Sequence, residues 1–320
     1  MIAIRQHRFG GPEVLVAEEL DDLEPGPGQV RVAVSASGVH LIDTRIRSGA
    51  AGPMPPPELP TIPGREVAGT VDLLGDGVDP DWKGRRVVTH LGQVPGGYAE
   101  QAVTAVDNLL PVPDGLSDAE AIALVGTGRT ALGILAEARI TPDDTVLVLA
   151  AAGGLGWLLV QAARQAGATV IAAAGAHKVE RLAELHPDAV VDYTRPRWTD
   201  RFPSAPTVVL DGVGGEIGRA AFEAVAPGGR IIMFGYASGS ATPLTTDDLI
   251  RHAVSVSWAL GPRMASYPGG LPGLARRALE LGAQGDWRPL LTAYPLAEAA
   301  RAHRELEERR TVGKVVLLAR

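Results

Sequence analysis

A two-domain α/β protein, one domain β-rich and the other a doubly wound parallel sheet, is what this sequence predicts, and three observations predict it. The chain has 320 residues, more than one typical domain holds. Its first 120 or so residues read as short strands broken by Gly, Pro and Asp. From Thr145 onward strands and helices alternate, the pattern of parallel strands joined by crossover helices.

In chain order, MIAIRQHRFG reads as a strand and then polar sequence. Strands follow at Val14 to Leu20, Val30 to Ser35, Glu66 to Leu74, Arg86 to His90 and Tyr98 to Val103. Pro53, Pro55, Pro56, Pro57, Pro60 and Pro63 crowd one loop, which cannot be helical and is either the wall of a cleft or a rigid connector. Ser117-Asp118-Ala119-Glu120 is a capping-box signature, so a helix starts there. The parallel strands are Thr145 to Leu149, Thr169 to Ala173, Ala189 to Val191, Thr207 to Leu210 and Arg230 to Phe234, with Val254 to Leu260 as the last. The tail offers helices near Leu274 to Leu281 and Leu296 to Arg309 and a strand from Lys314 to Leu318. These last pieces are read as returning to the first domain. The β-rich domain is then 1–121 with 262–320, and the parallel-sheet domain, 122–261, is an insertion.

Val146 to Gly156, VLVLAAAGGLG, is the most telling stretch, because a buried strand runs through a glycine turn into a helix. Gly153 lets a backbone approach a pyrophosphate, and Gly156 lets the helix from Trp157 to Gln165 pack closely on the sheet. They match the second and third glycines of G-x-G-x-x-G, with Ala151 in place of the first. Helix-start N–H groups and the macrodipole both favour the anion. At the end of the next strand an NAD site usually places an acid for the ribose hydroxyls, but here Ala174 stands in that region, followed by His177 and Lys178, with Tyr193, Arg195 and Arg197 further on. A cationic rim without a carboxylate suits a 2′-phosphate, so NADPH is the expected cofactor. The plain alternative is that Lys178 and Arg181 are a solvated helix face.

Composition removes other classes. A net charge of −7 with scattered Lys and Arg argues against nucleic acid or an anionic membrane as partner. No long apolar span and no signal peptide is read, which makes a cytoplasmic location the default. With no cysteine, disulfides, thiolate nucleophiles and cysteine-containing zinc sites are excluded, and the histidines His7, His40, His90, His177, His186, His252 and His303 show no ligand spacing. No metal is expected.

Several collinear segments resemble a known family: GVHLIDTRIRSG (Gly38 to Gly49), PGREVAGTV (Pro63 to Val71), GGYAEQAV (Gly96 to Val103), AAGGLG (Ala151 to Gly156), VVDYTR (Val190 to Arg195), GGRIIMFGYASG (Gly228 to Gly239) and GKVVL (Gly313 to Leu317). Together they resemble the zinc-independent quinone oxidoreductases of the medium-chain dehydrogenase/reductase superfamily. The resemblance implies a GroES-like catalytic domain and a Rossmann domain with a cleft between them, and a homodimer joined through an edge strand, for which Val254 to Trp258 is the candidate. It also implies a nicotinamide near Thr130, Gly212, Val213 and Phe234 and a 2′-phosphate near Lys178 and Tyr193, and Ala152, Gly153, Gly154, Leu155, Gly156, Gly175 and Gly235 complete the expected cofactor-binding residues. The chain departs from the family at His40, commonly Asn, at Arg45, commonly Tyr, and near Gly175, often Ser or Thr.

The expected chemistry is hydride transfer from NADPH to a quinone or enone. Negative charge developing on the acceptor oxygen needs a donor, and His40 and Arg45 are the candidates, with His40 also a possible proton donor. The bland reading of His40 is a packed, hydrogen-bonded residue. Tyr236, after the strand ending at Phe234, is a candidate substrate wall or weak acid. Asp43 and Glu66 are read as structural, Glu66 pairing with an arginine such as Arg65 or Arg45. Asp211 either serves the ribose or caps the next helix. The competing readings are an enoyl or tailoring reductase of a secondary-metabolite pathway and a non-catalytic NADPH-binding protein.

Overall fold

A computed structural model describes residues 1–50, 56–92 and 96–319. The chain runs β1 (Ile2–Gln6), β2 (Leu15–Glu19), β3 (Gln29–Val39), α1 (Leu41–Ser48), β4 (Glu66–Leu74), β5 (Arg86–His90), β6 (Gln101–Ala105), β7 (Leu110–Pro111) and α2 (Asp118–Ile122). A π-helical turn, Ala123–Gly128, leads into α3 (Arg129–Ala138), β8 (Thr145–Val148), α4 (Gly154–Gln165), β9 (Thr169–Ala174), α5 (Val179–Leu182), β10 (Ala189–Asp192), β11 (Val208–Asp211), α6 (Gly215–Glu223), β12 (Arg230–Met233), α7 (Thr246–His252) and β13 (Ser255–Trp258). It ends with α8 (Pro262–Ala265), α9 (Gly270–Ala283), β14 (Leu291–Pro295), α10 (Ala299–Glu307) and β15 (Lys314–Leu318). Two compact units result, Met1–Thr127 with Ala275–Arg320, and Gly128–Leu274.

In the first unit a sheet of order β14-β15-β3-β4-β5-β7, with β6 also on β3, is mostly antiparallel. Burial alternates along the first half of β3, the period of a strand with one face on a core; Val30, Val32 and Val34 meet Val67, Val71 and Val87 there. The tail does return: β15 pairs antiparallel with β3, Val315 opposite Val39.

The second unit is a parallel sheet of order β10-β9-β8-β11-β12-β13. β8, β9 and β11 are buried almost throughout instead of alternately, as strands covered on both faces are. Growth of the sheet reverses between β8 and β11, and ligands of such sheets bind outside the strand carboxyl ends at that point.

The differences from the expected elements have local causes. The strand expected from Tyr98 to Val103 is formed only from Gln101; Tyr98 precedes it, buried, and accepts a backbone bond from Ile4. Helix α1 carries no apolar-face signal because the residues it buries are Asp43, Thr44 and Arg47. Strand β14 is short, ends in proline and lies at a sheet edge, where proline is tolerated. Ser117 caps α2 as its motif requires, its hydroxyl accepting from Glu120 N–H. The run Asp118–Ala138 is, contrary to expectation, long and apolar enough by composition to cross a bilayer; 61% of that window is buried within the protein, as in a core helix. Of the proline-rich loop, Pro53 and Pro55 lie outside the described residues, and Thr61 ties the rest to Gln6 of β1 by two backbone bonds.

Candidate active site

In the parallel-sheet unit the expected cofactor residues follow the carboxyl ends of β8 to β12, except Thr130, which lies in α3. Beyond β8 the chain turns through Leu149 to Ala152 and enters α4 with Gly153 as N-cap, no side chain capping the first turn. The helix start is therefore open to an anion, worth about 0.3–1 kcal/mol from the macrodipole. Gly156 has the packing role assigned to it, since a Cβ there would fall 2.3 Å from Ala150 O and 2.6 Å from Ala151 Cα. Backbone strain falls at Ala150, with φ 50°, one residue before the Ala151 that replaces the motif's first glycine. Ala152 is buried, and Gly154 and Leu155 are half-buried at the start of α4.

Ala174 ends β9, buried, and Gly175 leads into a 3-10 turn, Ala176–Lys178, in which Lys178 N–H donates to Gly175 O. Tyr193 comes alongside from the next strand: its N–H donates to Ala174 O, and its ring meets Trp198 edge-on at 6.3 Å. Asp192 stands in register with Ala174, but its carboxylate accepts from Thr194 N–H and hydroxyl and from Arg195 Nε. Burial pushes the Asp192 pKa up, while the Thr194 and Arg195 hydrogen bonds outweigh it and hold the group below the usual carboxylate range.

At the ends of β11 and β12, Gly212 and Val213 lie beside Phe234 and Gly235. A Cβ on Gly212 would strike the Phe234 ring at 2.5 Å, and one on Gly235 would lie 3.0 Å from Gly212 O. Asp211 is a turn cap: it is buried, Oδ1 accepts from Val213 and Gly214 N–H, and Oδ2 accepts from the Thr242 hydroxyl. Tyr236 is exposed, its ring 6.4 Å from Trp258, and Thr130 lies half-buried in the first turn of α3.

In the β-rich unit His40 is the N-cap of α1, its N–H donating to Asp43 Oδ2 at 2.8 Å, and Arg45 sits half-buried one turn on. Among the described residues Glu66 forms its ion pairs with His40 and Lys314, not with an arginine. Its Oε2 lies 2.7 Å from His40 Nε2 and 3.1 Å from Lys314 Nζ, and those two nitrogens are 2.8 Å apart. Gly38 and Gly126 leave room for the carboxylate: a Cβ would fall 2.3 Å from Oε2 at the first and 1.6 Å from Oε1 at the second. Burial drives the Glu66 pKa up, but the His40 and Lys314 charges outweigh it and hold the group well below the usual range. Burial lowers the Lys314 pKa, against the pull of Glu66.

A second buried relay holds α1 from behind. Arg47 Nη1 can only donate, so it gives its proton to His303 Nδ1 at 3.3 Å; His303 Nε2 then donates to Tyr98 Oη at 3.0 Å, and Tyr98 donates to Asp43 Oδ2 at 3.3 Å. Burial pushes the His303 pKa down to about 4, and burial followed by Asp43 pushes that of Tyr98 well up, so both are neutral at pH 7.

Comparison with known proteins fits this geometry. Residues 26–114 match the family described as the alcohol dehydrogenase GroES-like domain and 185–317 that described as zinc-binding dehydrogenase. The chain is 35% identical to the quinone oxidoreductase of Pseudomonas aeruginosa over 97% of each, and 32% identical to the 2-haloacrylate reductase of a Burkholderia species over 98% of this chain and 97% of the other. It belongs to the quinone oxidoreductase family of medium-chain dehydrogenase/reductases. Among solved structures, an NAD-dependent alcohol dehydrogenase superposes with TM-score 0.88 at 32% identity over 100% of both chains. The Escherichia coli quinone oxidoreductase complexed with NADPH gives TM-score 0.87 at 30% identity, over 99% of this chain and 100% of the other.

The residues present do not fit the zinc that one of these descriptions implies: there is no cysteine, and the described residues contain no group of three His, Asp or Glu able to hold a metal. Sequence reasoning in this family member missed Lys314, Tyr98 and His303. Lys314 left one trace, a charged residue leading the apolar strand KVVLL, where it is only 5% exposed.

Proposed function

We propose that the chain is an NADPH-dependent reductase of quinones or α,β-unsaturated carbonyl compounds. The observation that carries this reading is the carboxylate-free end of β9 beside Lys178, next to an open glycine cradle, in a chain with full-length quinone oxidoreductase relatives. NADPH supplies the hydride when bound. Gly153, Gly154, Leu155 and Gly156 with the first turn of α4 hold the pyrophosphate, Gly175, Lys178 and Tyr193 the 2′-phosphate, and Thr130, Gly212, Val213, Phe234 and Gly235 the nicotinamide end. His40 and Arg45 stabilise the negative charge developing on the acceptor oxygen, and His40 gives it a proton. Tyr236 forms a wall for the acceptor.

Because one structural relative is NAD-dependent, cofactor preference is the first thing to measure. Fluorescence titration is expected to give much tighter binding of NADPH than of NADH, and comparable affinities overturn the phosphate assignment. Oxidation of NADPH is then followed with 1,4-benzoquinone and a 2-alkenal, and no turnover with either overturns the reductase reading. We further propose a homodimer through the edge at Val254 to Trp258: β13 ends the sheet, and Trp258 and Ile250 are 42% and 72% exposed. Light scattering is expected to give the mass of two chains, reduced by Trp258→Lys; a monomeric wild type overturns it.

A further inference from the structure

The three polar atoms His40 Nε2, Glu66 Oε2 and Lys314 Nζ stand within 2.7, 2.8 and 3.1 Å of one another, and with Lys314 charged no placement of protons satisfies all three contacts. If Nε2 carries a proton and donates it to Glu66, the 2.8 Å approach of an ammonium sets donor against donor, and the contact is met by a neutral amine whose lone pair faces Nε2. If Lys314 is charged and donates to a bare Nε2, the 2.7 Å contact with Glu66 sets lone pair against lone pair. The geometry lies between the two states, and they differ by the position of one proton between Nζ and Nε2.

We propose that Lys314 is the proton store behind His40. The proposal rests on the reductase reading above. As the hydride reaches the acceptor carbon, the electron pair of the C=C or C=O bond moves to the acceptor oxygen. His40 Nε2 takes a proton from Lys314 Nζ and gives it to that oxygen, forming the O–H bond. Nε2 is left bare as at rest and Lys314 as a neutral amine, and water restores the ammonium. One proton from solvent is consumed for each hydride.

Three features of the surroundings support this. Lys314 and Glu66 are 5% and 0% exposed while the His40 ring is 26% exposed, so the imidazole is the outward member of the group. Burial lowers the lysine pKa and so makes its proton easier to give up. The other charged groups facing the pair are Asp43 of α1, which favours the ammonium, Arg65 before β4, which opposes it, and His90 of β5, opposite Glu66 in register. Glu66 and Asp43 favour the ammonium against burial and Arg65.

Lys314→Arg is the deciding variant, because arginine keeps the buried cation and the pairing with Glu66 yet does not release a proton. In the protein without cofactor, Lys314 15Nζ is expected by NMR to lose its proton at a lower pH than an ordinary lysine does. With NADPH and 1,4-benzoquinone, Lys314→Arg and Lys314→Met are both expected to lower kcat at least about tenfold and to raise the solvent deuterium isotope effect, with NADPH affinity unchanged. Wild-type kcat in Lys314→Arg overturns the proposal and leaves Lys314 as a counter-charge. If Lys314→Arg does not fold, the wild-type Lys314 signal decides: a lysine that keeps its proton up to the ordinary lysine range overturns it equally. A wild type that reduces no acceptor overturns the reductase reading instead, and the NMR result still separates the two.

Discussion

Acidification tests the buried relay behind α1 more sharply than any truncation. His303 is fully buried with a pKa near 4 in the folded protein, against 6.5 for the ordinary imidazole. The unfolded chain therefore binds more protons between these values, so stability rises with pH across the window and falls as pH drops from 6.5 toward 4. The shift corresponds to about 3 kcal/mol between pH 7 and pH 4 at about 1.36 kcal/mol per pKa unit, an order-of-magnitude figure. His303→Gln keeps an N–H for Tyr98 but does not titrate. It is expected to cost about 1–2 kcal/mol at pH 7, because Arg47 Nη1 is left without its buried acceptor and the side chain repacks. The difference from wild type should vanish or reverse near pH 4. Urea denaturation followed by circular dichroism in steps from neutral to acid pH gives the two curves, and NMR of the His303 ring gives its pKa directly. Parallel curves, or a ring that titrates near its ordinary value, would refute the reasoning.

Three further outcomes follow from the same geometry. Lys178→Ala should weaken NADPH binding about tenfold or more in fluorescence titrations while leaving NADH binding alone, since it removes one charge-assisted hydrogen bond to the 2′-phosphate; equal weakening for both would count against that hydrogen bond. Gly126→Ala should destabilise the protein by about 3 kcal/mol or more, because its Cβ would fall 1.6 Å from the anchored Glu66 carboxylate; an unchanged denaturation midpoint would refute the placement of that carboxylate. Ala150→Gly should stabilise by about 0.5 kcal/mol, relief of the left-handed backbone outweighing the extra chain entropy of glycine, and a lowered melting temperature would contradict it.

Much of the fold was legible because its signals are local. The strand, glycine turn and helix from Thr145 to Gln165 are written in consecutive residues, and the capping box at Ser117 marks its helix before any packing is known. The missed elements are those whose signal is inverted or cut short: α1 buries charge instead of hydrocarbon, and β14 ends in proline. Of the site, the uncapped glycine turn into α4 was readable for the same local reason, while the partners of Glu66 were misread because sequence neighbours offered only arginines.

The sequence by itself determined that the chain has a parallel-sheet unit with a glycine turn opening its first helix after β8, no acid at the end of its second strand, and no cysteine to hold a metal. Only the tertiary structure decided what stands around His40. The antiparallel register of β15 on β3, Val315 opposite Val39, brings Lys314 to His40 across 274 residues, and the β3 and β4 pairing sets Glu66 beneath them. The Tyr98 and His303 pairing spans 205 residues in the same way. A residue's type is local, but whether a lysine is a solvated charge or a buried one depends on strand register, which is fixed by packing of whole sheets and carries no local mark.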